Sequence, residues 1–151
     1  CQLMMELKKI YPMDIDHPQL HHNVSGKFES AFINVTIQPN DSILLNSLSG
    51  CRLGIWIAHG EGRFDLKGHE KTYEIPMQYS YDEFPGNPNG SSFGAAALAS
   101  KDGRHLAMMP HLERSLFPWN WGHYQNKMVH EVSPWMEPFI NARKWVREKV
   151  K

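Results

Sequence analysis

Short runs of apolar and β-branched residues recur along the chain, separated by clusters of glycine, proline, asparagine and charged residues. Most of these runs have the length of strands, about five to eight residues, and do not continue at the spacing of an amphipathic helix. A Lys-Asp-Gly-Arg turn at 101–104 is typical of a hairpin between the last two runs. The pattern predicts strands at 28–37, 53–58, 75–81, 94–99 and 105–109.

Apolar residues at three- and four-residue spacing occur near both ends of the chain and predict helices there. The first helix is predicted at 1–10, and the last at 133–149, where Pro138 is expected to kink the first turn or delay the start. Segment 42–48 predicts a further short helix, and segment 12–26 reads as a loop. The inner face of the last helix is predicted to consist of Met136, Phe139, Ile140 and Val146.

Strands mixed with helices at both ends predict an α/β domain that occupies residues 1–151. A parallel sheet needs crossover helices between its strands, and this chain offers few of them. We therefore expect the first βα units to precede residue 1. The chain opens at Cys1 without an initiator methionine, which favours the C-terminal part of a longer protein.

Composition narrows the class of protein. The 151 residues suffice for one domain, and sixteen basic side chains balance sixteen acidic ones, so charge favours neither nucleic acid nor an anionic membrane. The sequence has no apolar run near the ~20 residues that span a bilayer, and it does not begin with the pattern of a secretory signal. Two cysteines are too few for a disulfide framework and predict reduced thiols in a cytoplasmic protein.

His111 and Glu113 are the clearest candidates for chemistry, because they stand two residues apart directly after a predicted strand. A carboxylate that accepts a hydrogen bond from one imidazole nitrogen leaves the other nitrogen free to act as a base. The pair is predicted to be two members of a nucleophile–histidine–carboxylate triad. No serine or cysteine stands on a recognisable strand–turn–helix elbow, so we expect the nucleophile before residue 1. The alternative is a solvated histidine beside a surface glutamate.

Two more segments combine glycine with polar side chains. In His59-Gly60-Glu61-Gly62-Arg63 the glycines let the backbone approach a ligand and expose N–H groups, and a tight turn explains them equally well. Segment 87–91, Asn-Pro-Asn-Gly-Ser, predicts a surface turn when it is taken alone.

A metal site is the main chemical alternative, since the chain has nine histidines. The sequence lacks H-E-x-x-H, and neither cysteine follows His111 as the zinc deaminase pattern requires. We therefore predict no metal. Cys1, near a helix N-terminus, is a tempting nucleophile, because a thiol there has a lowered pKa.

Three segments together resemble the class I, triad-type glutamine amidotransferases, and more narrowly the glutaminase domains of phosphoribosylformylglycinamidine synthases. They are 58–63 (Ala-His-Gly-Glu-Gly-Arg), 87–91, and 102–104 together with 108–114 (Met-Met-Pro-His-Leu-Glu-Arg). Segments 23–29 and 135–145 resemble the long, single-chain form of these synthases. The resemblance covers essentially the whole chain; Leu112 departs from it, because many relatives carry proline there.

The resemblance implies an open, flavodoxin-like sheet with helices, of which this chain is the part without the N-terminal βα units. The family's elbow reads G-x-C-N-G-C-Q, and Cys1-Gln2 matches its last two letters. The nucleophile would then lie three residues before Cys1, and Cys1 would be the second, non-catalytic cysteine of the elbow.

The resemblance also implies a mechanism, in which a thiolate attacks the amide of glutamine, His111 relays the proton to ammonia, and Glu113 orients His111. The implied contacts of glutamine are Gln2, His59, Gly60 and Glu61. Ammonia would pass to a domain upstream in the same polypeptide. That domain would use ATP and magnesium to convert formylglycinamide ribonucleotide to its amidine in purine biosynthesis, whereas this domain itself would need no cofactor.

Two other functions stay open. The chain could be a non-catalytic fragment that binds partner domains through the aromatic segment around Trp119 and Trp121. It could also be a cysteine hydrolase of the same fold, which a triad alone does not distinguish from a glutaminase. Segments 59–63 and 87–91 favour the glutaminase.

Overall fold

The computed structural model describes residues 1–10, 18–124 and 130–149. Helices and strands alternate irregularly within these residues, and several short 3₁₀ helices connect them. The elements are α1 (Gln2–Glu6), β1 (Gln19–His22), β2 (Glu29–Ile37), β3 (Arg52–His59), β4 (Glu61–Asp65), β5 (Glu74–Tyr79), β6 (Ala95–Ala99), β7 (Leu106–Met108) and α2 (Glu137–Lys149).

Five of the strands form one antiparallel sheet in the order β3-β2-β5-β6-β7. The β2–β3 pairing is the longest, and it runs from Glu29 opposite His59 to Thr36 opposite Arg52. Strands β6 and β7 form the hairpin that the sequence predicts around 101–104. The five strands predicted from apolar runs are therefore confirmed, each within a few residues of its predicted bounds.

The five-stranded sheet curls so that its two edges meet. Strands β3 and β7 are the edges, and the chain just after β7 bridges to β3 at Trp56 and His111. The backbone N–H of His111 donates to the carbonyl oxygen of Trp56 at 2.8 Å. This closure places His111 beside Trp56 of β3, the strand that ends at His59.

Strand β6 lies between two hydrophobic clusters, and all five of its residues are buried. Ala96 and Ala97 pack in the first cluster with the inner residues of β2 and β3, whereas Ala95 and Leu98 pack in the second with α1 and β4. Small alanine side chains let both layers approach the strand closely. Burial on both faces therefore explains why β6 shows a continuous apolar run and no alternation.

The second sheet is a correction to the sequence prediction. Strand β1 pairs antiparallel with β4, although the sequence predicts a loop at 12–26 and leaves 59–63 open between a tight turn and a backbone segment that approaches a ligand. Both strands carry mostly polar side chains, and among them only Phe64 and Gly62 of β4 are buried. Polar, exposed strands give no alternation that a sequence pattern could reveal. The rest of the predicted loop, 11–17, lies outside the described residues.

The helices are shorter than predicted. Helix α1 ends at Glu6, and the segment predicted at 42–48 is helical only as a 3₁₀ turn at Asn46–Leu48. Ser133 caps a 3₁₀ turn before α2, its hydroxyl accepting from the N–H of Trp135, and α2 itself begins at Glu137. Trp135 is fully buried and its Nε1–H donates to the carbonyl oxygen of Gly54 at 2.7 Å. That indole therefore anchors the helix to β3.

The predicted inner face of α2 is wrong at three positions, because Phe139, Ile140 and Val146 are exposed. The contacts that hold the helix come instead from Trp135 and from Asn141, whose side-chain amide donates to the carbonyl oxygen of Leu44. The α/β class is confirmed, and the described strands all pair antiparallel. No helix in the described ranges is long and apolar enough to cross a bilayer.

Candidate active site

The site centres on His111, which lies three residues after the end of β7 at Met108. Its Nδ1 lies 2.6 Å from Oε1 of Glu113, a short charge-assisted hydrogen bond. A 3₁₀ turn at Leu112–Arg114 folds the glutamate back onto the imidazole. The hydroxyl of Ser115 donates to the carbonyl oxygen of His111 at 3.3 Å and accepts from the N–H of Trp56 at 3.2 Å. Hydrogen bonds therefore hold the backbone of His111 at both its N–H and its carbonyl group.

The charge of Glu113 follows from its neighbours. Partial burial raises the pKa of its carboxyl, but the hydrogen bond from His111, a backbone N–H and the charges of His111 and Arg114 outweigh this, so the pKa is lowered. An ionised Glu113 can only accept a hydrogen bond, so Nδ1 of His111 carries the proton and donates it to this bond. Nε2 then carries the lone pair, which is the state that a general base requires. The predicted His111–Glu113 pair is thus assembled in space.

A second histidine lies beside this pair. His59 is buried, and its Nδ1 lies 3.1 Å from Oδ1 of Asn23. Its Nε2 is buried and has no hydrogen-bond partner among the residues that the structure describes. Burial lowers the pKa of His59, and the nearby charge of His111 lowers it further, against a backbone hydrogen bond and Glu29, which raise it. His59 is therefore a neutral imidazole close to His111.

The three segments of the resemblance converge at this point. Asn89 is fully buried, and its amide donates to the carbonyl oxygen of Gly62 at 3.1 Å and to the hydroxyl of Tyr79 at 3.2 Å. Gly62 has a positive φ of 106°, and a Cβ there would overlap the end of the Met109 side chain. The 59–63 segment is thus clamped between 87–91 and the strand that leads to His111.

Segment 87–91 is a buried scaffold and not a surface turn. Asn87, Asn89 and Ser91 are all buried, and the Ser91 hydroxyl accepts from the N–H of Phe64 at 3.0 Å. The side-chain Oδ1 of Asn87 accepts from the backbone N–H groups of Gly90 and Ser91. These bonds fix the loop that supports β4.

The other predicted contacts of glutamine, Gly60, Gln2 and Glu61, each have a partner within the protein. Gly60 is next to His59, and its carbonyl oxygen accepts from the N–H of Asn23. The amide of Gln2 donates to Glu6 at 2.7 Å on the exposed side of α1. Glu61 is exposed, 3.5 Å from Nδ1 of His22. The structure therefore places His59 within electrostatic range of His111 and Gly60 next to His59, and it pairs Gln2 and Glu61 with other side chains.

Cys1 lies near the site by way of β7. Its thiol donates to the carbonyl oxygen of Met108 at 3.2 Å, three residues before His111. This contact sets the start of α1 against the strand that leads into the pair. Within the part of the chain that the structure describes, no group of three or more His, Cys, Asp or Glu side chains is arranged to hold a metal ion.

Sequence reasoning missed Asn23, Trp56 and Ser115 as parts of the site. Their roles depend on hydrogen bonds across the fold, such as the bond between Trp56 and Ser115, which lie 59 positions apart. No local motif marks such a residue. These three residues are therefore recognisable as parts of the site only once the sheet has curled.

Comparisons with known proteins show the family and the fold of the chain. A family model described as CobB/CobQ-like glutamine amidotransferase domain matches residues 1–146. A chain of the solved structure of PurLQS from Thermotoga maritima superposes with a TM-score of 0.69 at 24% identity, over 96% of this chain and 57% of that one. At this identity the solved structure shows the shared fold.

Similar curated proteins are much longer than this chain. Phosphoribosylformylglycinamidine synthase of Dictyostelium discoideum is 39% identical over 95% of this chain, and a probable phosphoribosylformylglycinamidine synthase, chloroplastic/mitochondrial, of Arabidopsis thaliana is 42% identical over 97%. The human phosphoribosylformylglycinamidine synthase is 39% identical over 85%. The match spans only 11–12% of the length of each of these relatives.

Proposed function

This chain belongs to the CobB/CobQ-like glutamine amidotransferase domain family, and we propose that it carries the glutaminase site of a phosphoribosylformylglycinamidine synthase. The reaction is the hydrolysis of glutamine to glutamate and ammonia. The observation that supports it most is the 2.6 Å hydrogen bond between Nδ1 of His111 and Glu113, held where the two edges of the sheet meet.

The proposed chemistry has two steps. A cysteine thiolate attacks the carboxamide carbon of glutamine, the S–C bond forms, the C–N bond breaks, and His111 delivers the thiol proton to the departing ammonia. Water then attacks the thioester and gives its proton to His111, and the S–C bond breaks to release glutamate. Glu113 stabilises the imidazolium of His111 in both steps, because it stays ionised.

The proposed nucleophile is the first cysteine of the family's elbow pattern, three residues before the position that Cys1 matches. Cys1 is assigned the second, non-catalytic position. Its hydrogen bond to the carbonyl oxygen of Met108 supports this assignment, because the thiol is engaged with the backbone three residues before His111 and not with the His111 side chain.

The proposed glutamine contacts are Gln2, His59, Gly60 and Glu61. The geometry supports His59 and Gly60 more strongly than the other two, because His59 ends β3 within electrostatic range of His111 and Gly60 follows it directly. Gln2 and Glu61 would have to exchange their present partners, Glu6 and His22, for the substrate.

The remaining proposals concern the whole protein. Residues 1–151 are proposed to be the C-terminal part of a single amidotransferase domain, and ATP, magnesium and formylglycinamide ribonucleotide are proposed to bind elsewhere in the same polypeptide, which would use the ammonia for purine biosynthesis. The small share of each relative that this chain covers supports further domains. We propose a cytoplasmic location; the chloroplastic/mitochondrial name of the Arabidopsis relative makes an organelle the alternative, which cell fractionation decides.

The interaction-fragment alternative rests on the aromatic segment. Trp119 is exposed and stacks on Phe117 with ring centroids 4.5 Å apart, whereas Trp121 packs on Phe32 inside the domain. One exposed indole is a small surface for a partner. The amidotransferase site therefore remains the better supported function.

The test compares two nitrogen donors in the full-length protein. His111→Ala is expected to lower the glutamine-dependent rate by about 10³-fold or more, because it removes the proton carrier, and to leave the rate with ammonium chloride unchanged. His105→Ala removes a partly buried histidine of the neighbouring hairpin and is the matched control. Equal loss with both donors would show that His111 only supports the fold, and a wild-type protein that releases no ammonia from glutamine would overturn the proposed function.

A further inference from the structure

Asn23 joins the end of β3 to the loop that precedes β2. It is 3% exposed, and its side-chain Nδ2 donates to the carbonyl oxygens of Lys27 at 2.8 Å and His59 at 2.7 Å. Its backbone N–H donates to the carbonyl oxygen of Gly60 at 2.9 Å. One buried asparagine therefore fixes both the backbone and the position of His59.

These bonds determine which way the Asn23 amide points. Only the NH₂ group of the amide can donate to the two carbonyl oxygens, so the atom that faces them is Nδ2. The atom that faces the ring of His59 is therefore Oδ1. Oδ1 lies 3.1 Å from Nδ1 of His59 and can only accept. Nδ1 of His59 must therefore carry the proton, and Nε2 must carry the lone pair.

The free nitrogen lies in an unusual environment. Nε2 of His59 is a buried acceptor without a partner in the described part of the chain, and a buried polar atom normally has one. The charged groups that act on the ring are His111, after β7, and Glu29, paired with His59 on β2. Neither of them hydrogen-bonds to Nε2, so a bound molecule is the natural source of a donor.

We propose that Asn23 is a positioning residue of the glutaminase site: it holds His59 as the Nδ1–H tautomer, so that Nε2 accepts an N–H of the bound amide substrate. This inference rests on the proposed function. Asn23 itself touches no reacting atom, because its side chain is fully occupied by Lys27 and His59. Its effect passes through the protonation state of the imidazole.

Two substitutions in the full-length protein test the proposal. Asn23→Ala frees the imidazole to change tautomer and is expected to raise the KM for glutamine about tenfold, the cost of one hydrogen bond. Asn23→Asp places a carboxylate beside Nδ1, which favours the imidazolium, so the acidic limb of the pH profile of kcat/KM should move to higher pH. The ammonium chloride rate should stay unchanged in both variants.

Asn87→Ala is the matched control, because Asn87 is an equally buried asparagine that donates to two carbonyl oxygens, those of Asp82 and Ser91, and does not contact His59. It should leave the pH profile in place. If the Asn23 variants do not fold, ¹⁵N chemical shifts of the His59 ring in the wild-type protein carry the test: a protonated Nδ1 with an unprotonated Nε2 is expected, and the opposite tautomer would overturn the inference.

Several results would overturn the inference. If Asn23→Asp lowers kcat/KM at every pH but leaves the acidic limb of its pH profile at the wild-type position, the role of Asn23 is purely structural. The same conclusion follows if Asn87→Ala raises the KM for glutamine as much as Asn23→Ala does. A wild-type protein that makes no ammonia from glutamine overturns the proposed function and this inference together. If the wild-type protein makes ammonia from glutamine and the Asn23 variants lose activity equally at every pH, this inference alone is overturned.

Discussion

The two histidines of the site, His111 and His59, lie close together and have opposite surroundings. His111 is partly exposed and faces the carboxylate of Glu113, whereas His59 is buried and faces the neutral amide of Asn23. A carboxylate stabilises the imidazolium, so His111 can gain and lose a proton during a reaction. An amide and a dry environment keep His59 neutral. The partner of each ring, more than the ring itself, therefore sets its chemistry.

From this difference we propose one task for each histidine, proton transfer for His111 and ligand recognition for His59. Proton transfer needs a base whose charged form is tolerated, and ligand recognition needs a ring whose donor and acceptor do not change. If the two sites were interchangeable, substitutions at the two partners would have similar effects. The predictions below test that contrast, beginning with the largest expected effect.

After His111→Ala, Glu113→Gln should cause the largest loss of activity with glutamine. The amide keeps the shape of the side chain but removes the negative charge that stabilises the His111 imidazolium, so kcat with glutamine should fall about 10²-fold. Steady-state kinetics with glutamine and with ammonium chloride measure the effect. Asp65→Asn is the matched control, since Asp65 lies 3.5 Å from His21 in a pair outside the site. Similar losses from both variants would contradict a special role for Glu113.

His59→Asn should cause a smaller and different loss. The asparagine amide can occupy the position of Nδ1 and donate to Asn23, so the local structure is kept while the acceptor at Nε2 is lost. We expect a KM for glutamine about tenfold higher with kcat little changed, the pattern of lost substrate binding. His21→Asn, at a partly exposed histidine of β1, is the control. A fall in kcat at constant KM would instead place His59 in proton transfer.

The smallest effect concerns stability and pH. The pKa of His59 is lowered from its usual 6.5 in the folded protein, so below that pH the unfolded chain binds a proton that the folded chain does not. The contribution of His59 to the free energy of unfolding is therefore fully present above about pH 6.5, and it declines as the pH falls toward the pKa of His59 in the folded protein. The pKa of Glu113 is lowered from 4.5, so its contribution is lost only at more acidic pH.

Thermal denaturation at about pH 7.5 and about pH 5.5 measures this difference. Between the higher and the lower pH, the melting temperature of the wild-type protein should fall more than that of His59→Asn, because asparagine does not bind a proton in this range. Comparing the two proteins cancels the other histidines. A drop of equal size in both would show that His59 titrates alike in the folded and unfolded states.

The same contrast explains what the sequence could predict. His111 and Glu113 are neighbours along the chain and follow an apolar strand, so a local pattern finds them. Asn23 and His59 are 36 positions apart and meet only because β1 and β4 form a second sheet. Those two strands carry mostly polar side chains, so nothing in the pattern of apolar residues predicts them. Strand β6 was predictable for the opposite reason, since burial on both faces makes it wholly apolar.

The central claim is a glutaminase site built around His111, and covalent labelling of the full-length protein tests it most directly. Incubation with 6-diazo-5-oxo-L-norleucine, a glutamine analogue that alkylates catalytic thiols, is followed by intact-mass measurement and peptide mapping. The account predicts one adduct, on a cysteine three residues before the position of Cys1, which glutamine prevents and His111→Ala abolishes. An adduct on Cys1 would overturn the assigned register, and the absence of any adduct on an intact elbow would contradict the glutaminase.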